Sequence, residues 1–540
     1  MCKSTICDTN QLPLGRPDFS NIRKNGKIYV DKTKLISKIA EQDTPIFFSR
    51  PRRFGKSLLI NTLKSLFEKG LEDFHGLEIE KTWKDTTYKV VNFDFSKLIN
   101  DKVQDINYKL SKKIIQQFSI DNNLKFSDKD LQYPDLILDE IAQRLSDYSI
   151  VLLIDEYDAP LTHNLDKPDE LKDITNILDS FYATIKQYTE KFRFIFITGI
   201  TRVSHVSIFS SFNNLKDLSL RDEFNSLLGF TQDDLIQYFD AYIDNAACIL
   251  KMSKDDVYRR IQNYYDGFQF SFEAQQTLYN PWSILNFFDS PHLGFNNYWF
   301  ESGGISSLII KYIKISEEFN LLNYDNRDIY VDKNELSDRY EITDIPHEIL
   351  LFQAGYFTIK KVSTNTARLI FPNTEVEDSF LRLFLKSNNI KPKNKVKIKI
   401  DELYKKIDQR DIPSIVNVFN EILNDCVSIL STIFQDERST RDIIYAALPQ
   451  EISLQKIKER ETAKGYSDLE LLTQKTHMVI EFKRTKADRD AKASLREAIK
   501  QIKSKNYGIG AFQNLELFRV AMVISTEKKS ILPHYCVEVI

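Results

Sequence analysis

The chain is 540 residues long, 42% hydrophobic and 28% charged, with a formal net charge of −3. That length exceeds what one ordinary core occupies and predicts two or three domains of water-soluble composition. The near-neutral balance excludes a chain that binds polyanions over its whole surface, so any nucleic-acid contact has to be local.

Residues 1–12 are polar and expected to be loose. Leu14 to Phe19 is turn-rich, and Tyr29-Val30 leads into Asp31-Lys32-Thr33, where Asp31 or Thr33 caps a helix predicted through Ile39. Ile46 to Phe48 is an apolar run that reads as a buried strand. It enters a tight loop, Arg50-Pro51-Arg52-Arg53-Phe54, then Gly55-Lys56-Ser57, then Leu58-Leu59-Ile60 opening a helix to about Lys69. Strand, loop, Gly-Lys-Ser and helix make a P-loop, a backbone cradle for phosphate at a helix N-terminus. In this reading Arg50, Arg52, Arg53, Phe54, Gly55, Lys56, Ser57 and Leu58 bind ATP. Lys56 brings its charge to the β- and γ-phosphates, and the Ser57 hydroxyl ligates Mg²⁺. Arg50 stands where the first glycine of the motif is usual, which weakens the motif taken alone.

Tyr88 to Phe95 alternates and reads as a strand; residues 104–120 and 134–147 carry apolar residues at helical spacing. Val151-Leu152-Leu153-Ile154 is a continuous apolar run, suited to a parallel strand buried on both faces, and it ends in Asp155-Glu156. Acids at the C-terminal end of such a strand lie in the ligand crevice. Asp155 is expected to hold Mg²⁺ and Glu156 to polarise the attacking water. After a helix over 170–190, the strand Phe192 to Ile197 runs into Thr198-Gly199-Ile200-Thr201-Arg202. Thr198 is expected to sense the γ-phosphate. Arg202 is expected to stabilise transition-state charge, in cis or across a subunit contact of a homo-oligomer. Strands alternating with helices predict a doubly wound parallel sheet.

Val203 to Leu220 is expected to loop over the nucleotide. Thr231-Gln232-Asp233-Asp234 resembles a capping box opening a helical lid. Gly267 is read as a positive-φ turn after a helix, and Asn280-Pro281 as a helix start. The neighbouring aromatics are read as packing rather than a base-stacking platform. Residues from about 330 to 385 suggest a small linker domain of winged-helix-like outline. The basic run Lys391 to Lys399 reads as a domain boundary and solvated linker, with a nucleic-acid contact as the alternative.

Near the C-terminus, Tyr466 to Leu472 and Met478 to Lys483 read as a β-hairpin. Glu481 and Lys483 share one face of their strand, and Asp468 on the neighbouring strand comes opposite them. Two carboxylates beside a lysine make an oxygen-ligand Mg²⁺ site with a cation for the water. Asp468, Glu481 and Lys483 are therefore the expected catalytic residues. Glu437, on a helix through Arg441, Ile444 and Leu448, is a third metal ligand with Asp468 and Glu481. A helix over Ala491 to Lys503 and a strand over Arg519 to Ser525 follow. Taken alone, Asp…Glu-x-Lys equally describes a salt-bridged hairpin.

Tyr29-Val30-Asp31-Lys32-Thr33, the Arg50-to-Ser57 loop, Asp155-Glu156-Tyr157-Asp158 and Thr198-to-Arg202 resemble the bacterial AAA-ATPase-like family, as do the Tyr-Asp-Gly and Asn-Pro-Trp-Ser segments of the lid. That family commonly carries a C-terminal PD-(D/E)xK nuclease-like domain, which Gly465-x-x-Asp468, Glu481-Phe482-Lys483 and Ala498 to Ile502 ahead of Tyr507 resemble in turn. The resemblance implies that Arg in place of the first P-loop glycine is usual; Tyr466 departs from an Arg that is frequent there. The expected fold class is α/β. It comprises a P-loop NTPase domain with parallel sheet over 1–230, a helical lid over 231–330, the linker domain over 331–390 and an α/β restriction-endonuclease-like domain over 391–540. The expected activity is ATP hydrolysis joined to a Mg²⁺-dependent nuclease acting on DNA or RNA. The rival is a nucleotide-dependent switch or scaffold whose nuclease-like domain binds without cutting; a metabolite kinase fits less well, since no acceptor pocket is visible.

Cys2, Cys7, Cys248, Cys426 and Cys536 are scattered and odd in number, which argues for a reducing compartment and against a disulfide framework or zinc site. No run approaches the roughly 18 apolar residues that cross a bilayer, and the first residues lack a signal core. The expected location is the cytoplasm, without a membrane partner.

Overall fold

The computed structural model describes residues 9–98, 103–118, 124–203, 214–301, 308–312, 329–387, 394–425, 437–448, 454–458, 461–462, 465–509, 512 and 514–539. It divides into two compact units, one built from the chain up to Glu377 and one from Asp378 onward, His292–Asn296 excepted.

The first unit is organised on strands β1 (Ile46–Ser49), β2 (Lys89–Asp94), β3 (Ile150–Asp155), β4 (Phe192–Gly199) and β5 (Lys216–Asp217). They form one sheet in the order β2-β3-β4-β1-β5, every pair parallel. β1, β3 and β4 are buried along their whole length. This is why their sequences are mainly apolar runs, with Arg193 in β4 the charged exception, and not alternating ones: helices cover both faces. The covering helices are α1 (Phe19–Lys24), α2 (Thr33–Ala40), α3 (Lys56–Lys69), α4 (Val103–Phe118), α5 (Pro134–Ala142), α6 (Ala159–His163) and α7 (Pro168–Gln187). Lys32 occupies the N-cap position of α2, while the Asp31 carboxylate accepts from the Thr33 main-chain N–H at 2.8 Å and its hydroxyl at 2.6 Å. The stretch expected to loop over the nucleotide instead supplies β5, since Ile46 and Phe47 pair with Lys216 and Asp217; residues 204–213 of that stretch lie outside the described residues.

Helices α8 (Gln232–Leu250), α9 (Lys254–Tyr265), α10 (Pro281–Asp289) and α11 (Tyr298–Glu301) follow. Their starts are as the sequence dictates. Thr231 and Asp234 form a reciprocal capping box on α8, and the Asn280 side chain accepts from the Trp282 and Ser283 N–H groups ahead of α10, with Pro281 in its first turn. Strands β6 (Ile329–Asp332), β7 (Thr358–Val362) and β8 (Thr366–Ile370) make a small antiparallel sheet beside α12 (His347–Ala354). Helix α13 (Thr374–Ser387) contains the boundary between Glu377 and Asp378.

The second unit begins with α14 (Asn394–Asp401), α15 (Leu403–Asp408) and α16 (Ile412–Asp425). The basic run therefore does not mark the boundary. Its part from Asn394 onward is helical, with Val396 and Ile400 buried; residues 391–393 lie outside the described residues. α17 (Glu437–Ala447), β9 (Gln455–Lys458), the short pair β10 (Glu461–Thr462) and β11 (Gly465–Tyr466), β12 (Leu469–Leu472) and β13 (Thr476–Thr485) come next. α18 (Ala491–Lys505), β14 (Glu516–Ser525) and β15 (Ser530–Val539) complete the unit. Its five-stranded sheet runs β15-β14-β13-β12-β9, with β13 and β14 parallel and the other pairs antiparallel. Ala498 and Ile502 of α18 pack on Val479, Ala521 and Tyr507. This puts α18 on the face of β13 that also carries Glu481 and Lys483.

Candidate functional site

In the first unit a cavity of about 470 Å³ opens over the C-terminal end of β1, within the usual size range of small-molecule sites. Its charged and polar lining comes from Arg52, Arg53, Lys56, Ser57 and Glu156. Its apolar lining comes from Tyr29, Val30, Phe230, Leu285 and Trp282. The loop between β1 and α3 reaches this shape through positive φ at Arg53 (70°) and Gly55 (102°), the second of which only glycine adopts without strain.

Lys56 opens α3 and is buried; its ammonium donates to the carbonyls of Arg50 (2.8 Å) and Pro51 (3.0 Å). Burial lowers its pKa, against the opposing pull of Glu156, Asp155 and Asp158. Asp155 ends β3 and accepts a hydrogen bond from Ser57. Burial raises its pKa to about 6, and its Oδ1 has no hydrogen-bond partner among the described residues. An orphaned carboxylate oxygen facing a serine hydroxyl suits a hard cation with oxygen ligands. Glu156, at the cavity wall, holds a φ of 51°. For a non-glycine residue that conformation costs about 1 kcal/mol, a strain typical of functional positions.

The lid helices are fastened to the loop. The Trp299 indole N–H donates to the Arg52 carbonyl at 3.3 Å, and the Trp299 main-chain N–H donates to Glu375 Oε1 at 2.8 Å. Glu375 is fully buried and accepts from the Ser283 hydroxyl at 2.7 Å through its other oxygen. The Arg53 guanidinium lies 4.2 Å from the centre of the Trp282 ring, a cation–π contact between loop and lid.

In the second unit Leu469 pairs with Ile480, so Asp468 stands beside Glu481 across the hairpin. The Phe482 N–H donates to Asp468 Oδ2 at 2.7 Å. The Lys483 ammonium lies 3.4 Å from Glu481 Oε1 and 3.5 Å from Glu437 Oε2, and the Arg484 N–H donates to Glu437 Oε1 at 2.8 Å. Asp468, Glu481, Lys483 and Glu437 thus come together from the bend before β12, from β13 and from α17. Burial, then the Asp468 charge, raises the Glu481 pKa to about 8. Burial also raises Asp468, partly offset by the Phe482 N–H and Arg441. Lys483 is drawn down by burial but raised on balance by Glu437, Glu481 and Asp468, so it stays protonated. Glu481 Oε2 is buried without a partner among the described residues. Among the same residues no three His, Cys, Asp or Glu side chains stand close enough to form a cation cage, since the Lys483 ammonium lies between two of the carboxylates. The unpartnered Glu481 oxygen beside Asp468 has the chemistry of a hard-cation ligand, whereas both Glu437 oxygens are engaged, one near the Lys483 ammonium and one by the Arg484 N–H, so the structure does not bring Glu437 in as the expected third ligand.

A model for predicted AAA-ATPases matches residues 13–209, and one for the PD-(D/E)XK nuclease superfamily matches residues 435–533. An uncharacterized protein in the vnfD 5′ region of Azotobacter chroococcum mcd 1 is 30% identical over 416 residues, covering 76% of each chain. This chain belongs to the predicted AAA-ATPase family that carries a PD-(D/E)XK nuclease-superfamily domain.

Three ATPase residues singled out by sequence turn away from the cavity. Arg50 is buried between the Phe48 and Phe270 rings and donates to the carbonyls of Ser49, Ser219, Phe224 and Asn225. It braces the loop from behind and is not offered to phosphate, and burial lowers its pKa. Arg202 is buried too, with its guanidinium on the Leu336 carbonyl and 3.4 Å from Asp217. The Thr198 hydroxyl donates to the Phe48 carbonyl at 2.6 Å, a bond between neighbouring strands. Arg52, Arg53, Phe54, Gly55, Lys56, Ser57 and Leu58 all line the cavity. Trp282, read as packing, lines it as well, and only the lid's fold shows this.

The nuclease-like unit holds one group that sequence reading passed over. Glu470 is fully buried beneath the hairpin, accepting from the Ser467 hydroxyl at 2.8 Å and lying 2.8 Å from His477 Nε2. Its signal was present: Glu470 follows Asp468 by two residues and so shares its face of the strand.

Proposed function

We propose that this chain hydrolyses ATP in its first unit and cleaves nucleic acid, DNA or RNA, at a metal-dependent phosphodiesterase site in its second. The observation that carries the proposal is the convergence of Asp468, Glu481 and Lys483 with one Glu481 oxygen buried and unpartnered. A salt-bridged hairpin on the surface would leave no such orphan. In the first unit Ser57 and Asp155 would hold Mg²⁺, Lys56 and the N–H groups at the start of α3 would hold phosphates, and the base would lie against the apolar lining, Tyr29 included. Glu156 would orient the water and accept its proton.

In the second unit Asp468 and Glu481 would hold the metal. When bound, Mg²⁺ supplies positive charge against the charge developing on the phosphate oxygens. Lys483, protonated at rest, would donate to the attacked phosphate or the water and would not serve as the base. The reading fits a cytoplasmic protein; among the described residues no helix is long and apolar enough to cross a membrane. Incubation of the pure chain with Mg²⁺, ATP and single- and double-stranded DNA and RNA tests it. Cleavage that is lost in Lys483→Ala while binding persists supports it. ATP binding without cleavage of any substrate would favour a nucleotide-dependent switch.

A further inference from the structure

The surface that runs from Lys483 along α18 is unlike the rest of the chain in charge. Between Lys483 and Lys505 stand nine basic residues and three acidic ones, within a chain whose net charge is −3. Two of the three acids are already matched: Asp488 lies against Lys528, and Asp490 is 3.9 Å from Arg489. Along α18, Ala491, Ala498 and Ile502 are buried against the sheet. Lys492, Arg496 and Lys500 recur every fourth residue on the opposite, exposed face, so they stand in a row. None of the three has an ion-pair partner among the described residues. Several exposed or half-buried cations elsewhere in the same unit do: Lys399 with Glu421, Lys405 with Glu402, Lys406 with Asp411 and Arg410 with Glu516.

The row is placed against stability. Lys492 sits in the first turn of α18, where a cation opposes the helix dipole and only an anion is welcome. It is also tied to the candidate nuclease site. The Ser494 hydroxyl donates to the Arg484 carbonyl at 3.2 Å, which anchors the first turn of α18 beside Lys483. From there the row leads away along the helix at about 6 Å per four-residue step.

We propose that Lys492, Arg496 and Lys500 form a track for the phosphate backbone of the nucleic acid whose scissile bond lies at Asp468, Glu481 and Lys483. The proposal rests on the nuclease reading and names where the strand runs. The track contacts phosphates and no base edges, so it adds affinity without sequence preference.

The test uses the full chain carrying Lys483→Ala, which is expected not to cut, and short labelled DNA and RNA, each in single-stranded and duplex form. Affinity is measured against salt concentration for this parent and for the parent with K492Q, R496Q and K500Q together. A third protein, the parent with K397Q, K405Q and K406Q, removes the same charge from α14 and α15 of the same unit. The track predicts that the first triple weakens binding at least tenfold at low salt. It also predicts a loss of about 2–3 units from the slope of log affinity against log salt, since each duplex phosphate contact contributes about 0.9. The control triple should change affinity less than twofold, and thermal melts of all three proteins should agree. If the parent binds one of these nucleic acids and the α18 triple binds it with the same slope, the track is wrong while the nuclease reading stands. Equal losses in both triples also overturn it, because total charge alone is then responsible. If the parent binds neither DNA nor RNA in either form at low salt, the track and the nuclease reading fall together.

Discussion

Lys56, Glu156 and Glu481 carry the most direct expectations because each has a single physical job. Lys56→Ala should abolish ATP turnover, since the ammonium serves the phosphates and, until they arrive, two loop carbonyls. Its measurement is the ATPase rate beside a circular-dichroism melt that stays cooperative. Glu156→Gln keeps the shape and loses the base, so nucleotide binding should persist while kcat falls by about 10²-fold or more; equal rates for both proteins would refute the assignment. Glu481 titrates near 8 in the fold against about 4.5 unfolded. Between those values the folded state binds the extra proton, so in EDTA stability should fall as pH rises from about 4.5 to 8. Glu481→Gln removes that fall. It should be stabilised over wild type by on the order of 2 kcal/mol at pH 8.5 and by little at pH 4.5. Denaturant titrations at the two pH values decide this, and a difference independent of pH would count against the buried, cation-ready carboxylate.

At the scale of elements, the lid and the loop are held by a few buried polar bonds and by backbone that tolerates no Cβ. Glu375→Ala would leave the Trp299 N–H and the Ser283 hydroxyl without acceptors, a cost of about 2–4 kcal/mol. Because Trp299 also reaches the Arg52 carbonyl, the KM for ATP should rise while kcat at saturation stays near wild type. Steady-state kinetics separate that from a loss of chemistry. Gly267 follows α9 with φ +98°, and a Cβ there would lie 2.0 Å from the Pro372 carbonyl oxygen. Gly267→Ala should therefore destabilise by about 3 kcal/mol or more. Gly26→Ala, at φ +60° with open space around it, should cost only about 1 kcal/mol. Comparing the two melts isolates the steric part from the torsional one.

For the whole molecule, two units with separate cores predict two calorimetric transitions. ATP with Mg²⁺ at about 100 times its Kd should stabilise one of them by about 2.7 kcal/mol, and Lys56→Ala should cancel that shift. The other transition should respond to Mg²⁺ without nucleotide and lose that response in Asp468→Asn. A single transition moved by both ligands in both variants would contradict independent sites.

The amino-acid sequence by itself determined the elements whose signals are local. Mainly apolar runs made β1, β3 and β4, side-chain caps started α8 and α10, and the spacing of Asp468, Glu481 and Lys483 placed three groups on one hairpin face. Those signals depend on neighbours a few residues away, so they can be read without a fold. Only the tertiary structure decided what each arginine does. Arg50, Arg52, Arg53 and Arg202 look alike along the chain, yet two are buried on main-chain carbonyls and two line the cavity. The difference lies in which distant segment closes over each. Ser219, Phe224 and Phe270 reach Arg50, Leu336 and Asp217 reach Arg202, and Trp282 meets Arg53. Glu437 was legible as a member of the site, but only the fold shows that, from a helix more than forty residues upstream, it meets the Lys483 ammonium and the Arg484 N–H. Long-range packing assigns those partners, and no local pattern in the chain encodes it.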